Sequence, residues 1–108
     1  MLAGTAGVIL PSTRDEGAHV FHLYVVRVRD RDGLRKRLAD QNIQSGIHYP
    51  TPLHLLKAYE HFGHQRGDFP IAERLAGEIV SLPIYPEITE EQQARVAAVV
   101  KEHARSAQ

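Results

Sequence analysis

Residues 20–28 read VFHLYVVRV, a run rich in β-branched and aromatic residues. Residues of these types favour strands because their side chains pack well on a pleated surface. Apolar residues occupy both alternating faces of the run, a pattern typical of a strand that is covered on both sides or central in its sheet. We therefore predict a central strand from Val20 to Val28 and place the other elements around it.

A helix is predicted directly after this strand. Either Asp30 or Asp32 can cap its first turn. Leu34, Leu38 and Ala39 then lie on its buried side.

Two further helices are predicted in the second half of the chain. Pro70 suits the first turn of a helix over residues 70–80, which carries Ile71, Leu75 and Ile79 on one face. Thr89 and Gln92 have the spacing of a capping box. They predict a helix over residues 89–104, whose apolar face consists of Val96, Val99, Val100 and His103.

The order of elements predicts the fold class. We expect a small α/β (α+β) sandwich, in which a short antiparallel or mixed sheet is covered by the helices at 70–80 and 89–104. The 108 residues suit one domain. Residues 1–18 are expected to form an N-terminal extension or linker with a short strand near Val8–Leu10, and residues 19–108 the domain itself. The apolar stretch Val8–Leu10 is a candidate contact surface, so we expect a homo-oligomer.

Composition narrows the possible partners and locations. Thirteen Lys and Arg residues balance thirteen Asp and Glu residues, so no net charge favours nucleic acid or an anionic membrane. The apolar opening MLAGTAGVIL lacks a basic start and is far shorter than the ~20 apolar residues of a membrane span. There are no cysteines, so nothing indicates an oxidising compartment. We expect a cytoplasmic protein with neither nucleic-acid nor membrane partners.

Seven histidines raise the question of a metal site. Zinc sites usually need three or four ligands at suitable spacings. His61 and His64, three residues apart, have no partnering thiolate and no carboxylate at a convincing helical offset, so we expect no metal. The serines and glycines form neither a nucleophile elbow nor a phosphate loop. The residue types alone therefore predict a domain without a complete active site.

The segment SGIHYPTPLH, residues 45–54, is the unusual part of the chain. Proline fixes the backbone, so Pro50 and Pro52 would present His48, Tyr49 and His54 on a stiff turn. Taken by itself, the segment is either a structural turn whose rings pack or a binding surface.

Three stretches together resemble one enzyme family. HVFHLYVVRVRDRDGLRKRL (19–38), SGIHYPTPLH (45–54) and GDFPIAERLAGEIVSLPIYPEITEEQ (67–92) are similar to the C-terminal domain of the DegT/DnrJ/EryC1/StrS aminotransferases. These are fold-type-I enzymes that use pyridoxal phosphate to aminate keto groups on nucleotide-linked sugars, usually with glutamate as the amino donor. The resemblance covers about His19 to His103.

The resemblance implies roles for individual residues. It places His48 and Tyr49 beside the sugar and His54 at the same rim, as substrate-binding residues. In the family a large N-terminal domain supplies the cofactor lysine, its acidic partner and the phosphate-binding groups, so none of the three lysines here (Lys36, Lys57 and Lys101) is expected to bind cofactor. We expect a C-terminal fragment that is inactive alone, whose partners are the large domain and a nucleotide sugar. The alternative left open is a stand-alone, non-catalytic binding module of the same fold.

Overall fold

The computed structural model describes residues 1–15 and 17–107. Glu16, assigned above to the extension, and Gln108, at the end of the domain, lie outside the described residues. The sheet has three antiparallel strands in the order β1 (Val8–Ile9), β2 (Tyr24–Val28) and β3 (Ile79–Leu82). The predicted small α/β fold, with a short antiparallel sheet and β2 at its centre, is confirmed.

The central strand is shorter than predicted. It begins at Tyr24, and Val20, the predicted first residue, is 89% exposed. Phe21 has a left-handed backbone with φ of 48°, which lies outside the extended conformation of a regular strand. The apolar pattern of residues 20–23 therefore does not form a strand, and the chain bends at His22 and Leu23.

Three α-helices accompany the sheet: α1 (Arg31–Asp40), α2 (Pro70–Glu78) and α3 (Glu90–Ser106). Asp30 is the cap of α1, and its side chain accepts a hydrogen bond from the Gly33 amide. The capping box of α3 is present, with each of Thr89 and Gln92 bonding the backbone of the other. Leu53–Leu55 and Lys57–Phe62 form two short 3₁₀ segments before α2.

One face of the sheet carries the hydrophobic core. Alternation along a strand places Val26 and Val28 of β2 on this face, opposite Val80 and Val8 of the neighbouring strands. The helices that cover this face are α1 and α3. Their buried side chains are Leu34 and Leu38 on α1 and Val96 and Val100 on α3.

The prediction that α2 turns its apolar face onto the sheet is wrong. Ile71 is 66% exposed, Leu75 is half-buried, and Ala76 is the buried residue of the helix. Glu78 ends α2 and Ile79 begins β3, with no residue between them. A helix joined to a strand without a loop cannot fold back over that strand, so α1 replaces it as the second covering helix.

The other face of the sheet, which we call the second face, is only partly covered. It carries Val25 and Arg27 of β2 and Ile79 and Ser81 of β3. The Arg27 guanidinium bonds the Glu78 carboxylate, at 2.9 Å from Nε and 2.7 Å from Nη2. The end of this face at Arg27 is therefore charged. The end at Ser81 carries a small, buried side chain.

The apolar N-terminal stretch is exposed only at its middle residue, Ile9, which is 53% exposed. Val8 and Leu10 pack against the core, and β1 is an edge strand of the sheet. Exposed large apolar side chains are instead concentrated between residues 49 and 71: Tyr49, Leu53, Tyr59, Phe62, Phe69 and Ile71. In the part of the chain that is described, no helix has the length and apolarity to cross a bilayer.

The core assignment gives a stability prediction. Leu38→Ala should lower the free energy of unfolding by about 2–5 kcal/mol, because it empties a fully buried site beneath α3. Leu53→Ala, at a side chain that is 69% exposed, is the matched control and should change it by less than about 0.5 kcal/mol. Urea denaturation followed by circular dichroism measures both, and equal losses would contradict this description of the core.

Candidate functional site

The unusual segment 45–54 is attached to the sheet at one residue. Gly46 forms an antiparallel bridge with Ser81: its amide donates to the Ser81 carbonyl at 3.1 Å, and the Ser81 amide donates back at 2.8 Å. The chain then leaves the sheet, and Pro50 and Pro52 have no amide hydrogen to extend the ladder.

His48 lies over this bridge. Its Nδ1 is 2.8 Å from the Ser81 hydroxyl, and Ser81 is 5% exposed. The ring is so close to Gly46 that a Cβ there would be 2.7 Å from the imidazole Cε1. The ring is thus held between a buried hydroxyl and the backbone of a glycine.

Tyr49 stands beside His48 and is much more open. The two ring centroids are 5.4 Å apart in an edge-on arrangement, the His48–Tyr49 peptide bond is cis, and Tyr49 is 73% exposed. The Tyr49 hydroxyl bonds none of the described residues. An imidazole and a phenol side by side can donate and accept hydrogen bonds, as recognition of a hydroxyl-rich ligand requires.

His48 also lines an open groove of about 610 Å³. Its floor is apolar, with Leu82 and Val96 among the lining residues, and its walls carry amide, hydroxyl and cationic side chains. The Arg95 guanidinium donates to the Gln41 carbonyl at 2.8 Å, and the Tyr85 hydroxyl donates to the Gln92 side chain at 3.0 Å. No acidic residue is among the described residues that line it. A neutral or anionic polar ligand therefore suits the groove better than a cation.

His54 does not line this groove and is bonded to a residue of α2. Its Nε2 donates to Glu73 Oε1 at 2.8 Å, and the side chains of His54 and Glu73 are 7% and 14% exposed. The Gly67 amide donates to the same carboxylate oxygen at 2.8 Å, and the His54 ring packs on Phe69. This pair ties the first 3₁₀ segment and the loop before α2 to the α2 helix.

The environment of Glu73 lowers its pKa below the usual 4.5. The hydrogen bond from His54 is the largest cause, and the bond from the Gly67 amide is the next. Both stabilise the ionised carboxylate, and partial burial opposes them only in part.

Sequence reasoning missed several residues of this site. Ser81 and Gly46 are 35 positions apart, and neither has a local signature that marks it as functional. Glu73 reads as an exposed helix residue until the fold brings His54 to it. The signal that could have singled out Gly46 is the histidine two residues on, because side chains at such a spacing in extended chain lie on the same face.

The lysines and other potential ligands are spread over the surface. Lys36, Lys57 and Lys101 are all exposed, and none lines the groove. Within residues 1–15 and 17–107, no group of three or more His, Cys, Asp or Glu side chains is arranged to hold a metal ion.

Comparison with known sequences gives a consistent result. The sequence model of the DegT/DnrJ/EryC1/StrS aminotransferase family matches residues 1–101. The chain is 44% identical over 100 residues to the erythromycin biosynthesis sensory transduction protein EryC1 of Saccharopolyspora erythraea, covering 93% of this chain and 27% of that protein. It is 47% identical over 94 residues to the dTDP-3-amino-3,6-dideoxy-alpha-D-galactopyranose transaminase of Aneurinibacillus thermoaerophilus, covering 87% and 25%.

Solved structures show the same similarity in three dimensions. The crystal structure of DesV from S. venezuelae, in complex with a ketimine intermediate, superposes with a TM-score of 0.88 at 41% identity. The match covers 95% of this chain and 28% of DesV. The chain therefore spans about a quarter of the length of the relatives it matches.

The lowered pKa of Glu73 predicts a pH dependence of stability. A carboxyl whose pKa is lower in the folded state stabilises the fold above its unfolded pKa, and this contribution is lost as the pH falls through the folded value. Glu73→Gln should therefore destabilise the chain at pH 7. The difference from wild type should persist down to about pH 4.5 and shrink below it.

Urea titrations between pH 7 and pH 3 measure this difference. Glu87→Gln, which removes an exposed carboxylate without a hydrogen bond among the described residues, is the control and should have little effect at any pH. A wild-type advantage over Glu73→Gln that stays constant to pH 3 would contradict the assignment.

Proposed function

Since the chain belongs to the DegT/DnrJ/EryC1/StrS aminotransferase family, we propose that it is the sugar-facing C-terminal domain of an enzyme that aminates nucleotide-linked keto sugars with pyridoxal phosphate. Such reactions serve polysaccharide and antibiotic-sugar biosynthesis. The observation that carries the proposal is the placement of His48 and Tyr49, the pair that the family resemblance assigns to the sugar. His48 is bonded to Ser81 and lines a groove that has no acidic side chain among the described residues, and Tyr49 is the next residue in the chain.

In this proposal the domain binds and orients the sugar. His48 Nε2 and the Tyr49 hydroxyl are free of hydrogen bonds with the described residues, so both can bond a hydroxyl or keto oxygen. Hydrogen-bonding groups of this kind position a substrate at a reacting centre. His54, the third predicted residue, contributes by fixing the rim, because its bond to Glu73 holds the chain that follows Tyr49 against α2.

The cofactor is assigned to another part of the enzyme. Pyridoxal phosphate serves transamination as an electron sink when a lysine and an acidic partner hold it. Each lysine of this chain is exposed and outside the groove, and no carboxylate among the described residues lines the groove to face the pyridine ring. The described residues do not fit the cofactor. We propose that a large domain, absent from this sequence, supplies the catalytic lysine.

The proposed partners follow from the exposed surface. Six large apolar side chains between residues 49 and 71, Tyr49 among them, are exposed. Exposed apolar patches on soluble proteins usually mark contact sites. We propose that this surface packs against the large domain or a second protomer in the intact enzyme, and that the enzyme is a homo-oligomer.

The assignment of the cofactor predicts the behaviour of the chain alone. A titration with pyridoxal phosphate followed by visible absorbance should give weak signals that do not saturate at one equivalent, because exposed lysines form Schiff bases without a site. Lys57→Ala should give the same curve. Tight, stoichiometric binding that disappears in Lys57→Ala would show a cofactor site in this chain and overturn that part of the proposal.

The sugar-binding role predicts the behaviour of a chimaera. This chain can replace the C-terminal segment of DesV that it matches, which is 28% of that protein. With glutamate as donor, the chimaera should aminate a nucleotide-linked keto sugar. His48→Ala and Tyr49→Phe should each lower kcat/KM for the sugar about tenfold, as expected for one lost hydrogen bond, and leave the cofactor absorbance unchanged.

His61→Ala is the control for this experiment. His61 is exposed and outside the groove, and its substitution should leave kcat/KM unchanged. A chimaera that binds cofactor but is insensitive to both His48→Ala and Tyr49→Phe would contradict the proposed role.

A further inference from the structure

We propose that Ser81 and Gly46 are positioning residues for His48. Together they hold its imidazole in one orientation and one tautomer, with Nδ1 turned to the sheet and a protonated Nε2 available as a donor at the groove. The inference rests on the proposed function only for the identity of the group that Nε2 binds, which is an oxygen of the sugar. The geometry of the three residues stands by itself.

The position of Ser81 is determined by the sheet. It lies opposite Val25 in the antiparallel ladder, between Val80 and Leu82, whose side chains are buried in the core on the other face. Both of its backbone polar groups are bonded to Gly46. The backbone that carries the hydroxyl is therefore fixed within β3, and the hydroxyl lies 2.8 Å from His48 Nδ1.

The hydrogen-bonding groups of Ser81 and His48 determine which tautomer is favoured. The Ser81 hydroxyl is one donor and an acceptor, and His48 is its hydrogen-bond partner among the described residues. If Nδ1–H donated to Ser81, the buried hydroxyl hydrogen would be left without an acceptor, which costs free energy. If the hydroxyl donates to Nδ1, its hydrogen is satisfied and the neutral ring carries its proton on Nε2. The second arrangement is therefore favoured.

Gly46 provides the space for this orientation. A Cβ at this position would lie 2.7 Å from Cε1 and 3.4 Å from Nδ1 of His48, so any other residue would push the ring away from Ser81. Gly46 is not among the glycines with positive φ. Its role is thus to permit a close approach of the ring, because its backbone conformation is one that other residues adopt freely.

The arrangement has a consequence for recognition. A histidine with a free choice of tautomer presents either a donor or an acceptor, whereas His48 fixed by Ser81 presents an N–H. An N–H donor matches a keto oxygen, which can only accept. Ser81 and Gly46 would thus orient His48 for an oxygen acceptor before the substrate arrives, which lowers the cost of binding.

The test is NMR spectroscopy of this chain with ¹⁵N-labelled histidine, at about pH 8.5, where imidazoles are neutral. Wild type should show His48 as the Nε2–H tautomer, with a nuclear Overhauser effect between its Hε1 and the Gly46 Hα protons. Ser81→Ala should give a mixture of both tautomers and lose that effect. Ser81→Thr, which keeps the hydroxyl, should restore both signatures. Ser106→Ala, which removes an exposed hydroxyl bonded to the Glu102 carbonyl, should leave the His48 signals unchanged.

Substitution of two glycines provides an independent test. Gly46→Ala should displace the ring and remove the contact with Ser81, whereas Gly77→Ala should not, because a Cβ on Gly77 meets no atom within 4 Å. An Nδ1–H tautomer in wild type, or a Ser81→Ala spectrum identical to wild type, would overturn the inference. Since no substrate or cofactor is present, this outcome is separate from a failure of the proposed function, which the chimaera tests.

Discussion

The pairing of Ser81 with Gly46 connects the core of this domain to its candidate site. Strand β3 pairs with β2 along one edge and with Gly46 along the other. Because side chains alternate along a strand, the burial of Val80 and Leu82 in the core directs Ser81 to the opposite face. The free energy that packs α1 and α3 onto the sheet therefore also fixes the hydroxyl beneath His48. A shift of register by one residue would exchange the two faces and remove this partner.

The segment from Gly46 to His54 is held at both ends and stiffened between them. Its first end is tied to β3 through Ser81, and its last through the bond of His54 to Glu73. The prolines between these anchors restrict the backbone further. This arrangement leaves Tyr49 exposed on a supported turn, so an aromatic side chain can meet a ligand with little loss of conformational entropy. The loss of stability expected at low pH affects the His54–Glu73 bond and not the contact of His48 with Ser81.

Much of this fold follows from local patterns in the sequence, and the site follows from contacts that local patterns do not contain. The caps at Asp30 and Thr89 depend on residues three positions away, so the starts of α1 and α3 could be predicted. The exposure of the apolar face of α2 could not be predicted, because it depends on the direct junction between α2 and β3. The resemblance of SGIHYPTPLH to a known family identified His48 and Tyr49 as candidates. The residues that hold the histidines are distant in sequence: Ser81 lies 33 positions after His48, and Glu73 lies 19 after His54.

The most direct test of this account is a crystal structure of the DesV chimaera with a nucleotide-linked keto sugar bound. The proposed function predicts a hydrogen bond of about 2.7–3.2 Å between His48 Nε2 and an oxygen of the sugar, with Nδ1 still bonded to Ser81. The exposed Tyr49 hydroxyl should lie within hydrogen-bonding distance of the same sugar. A sugar bound elsewhere, with His48 facing solvent or packed against protein, would contradict the central claim that this domain forms the sugar-binding wall of the enzyme.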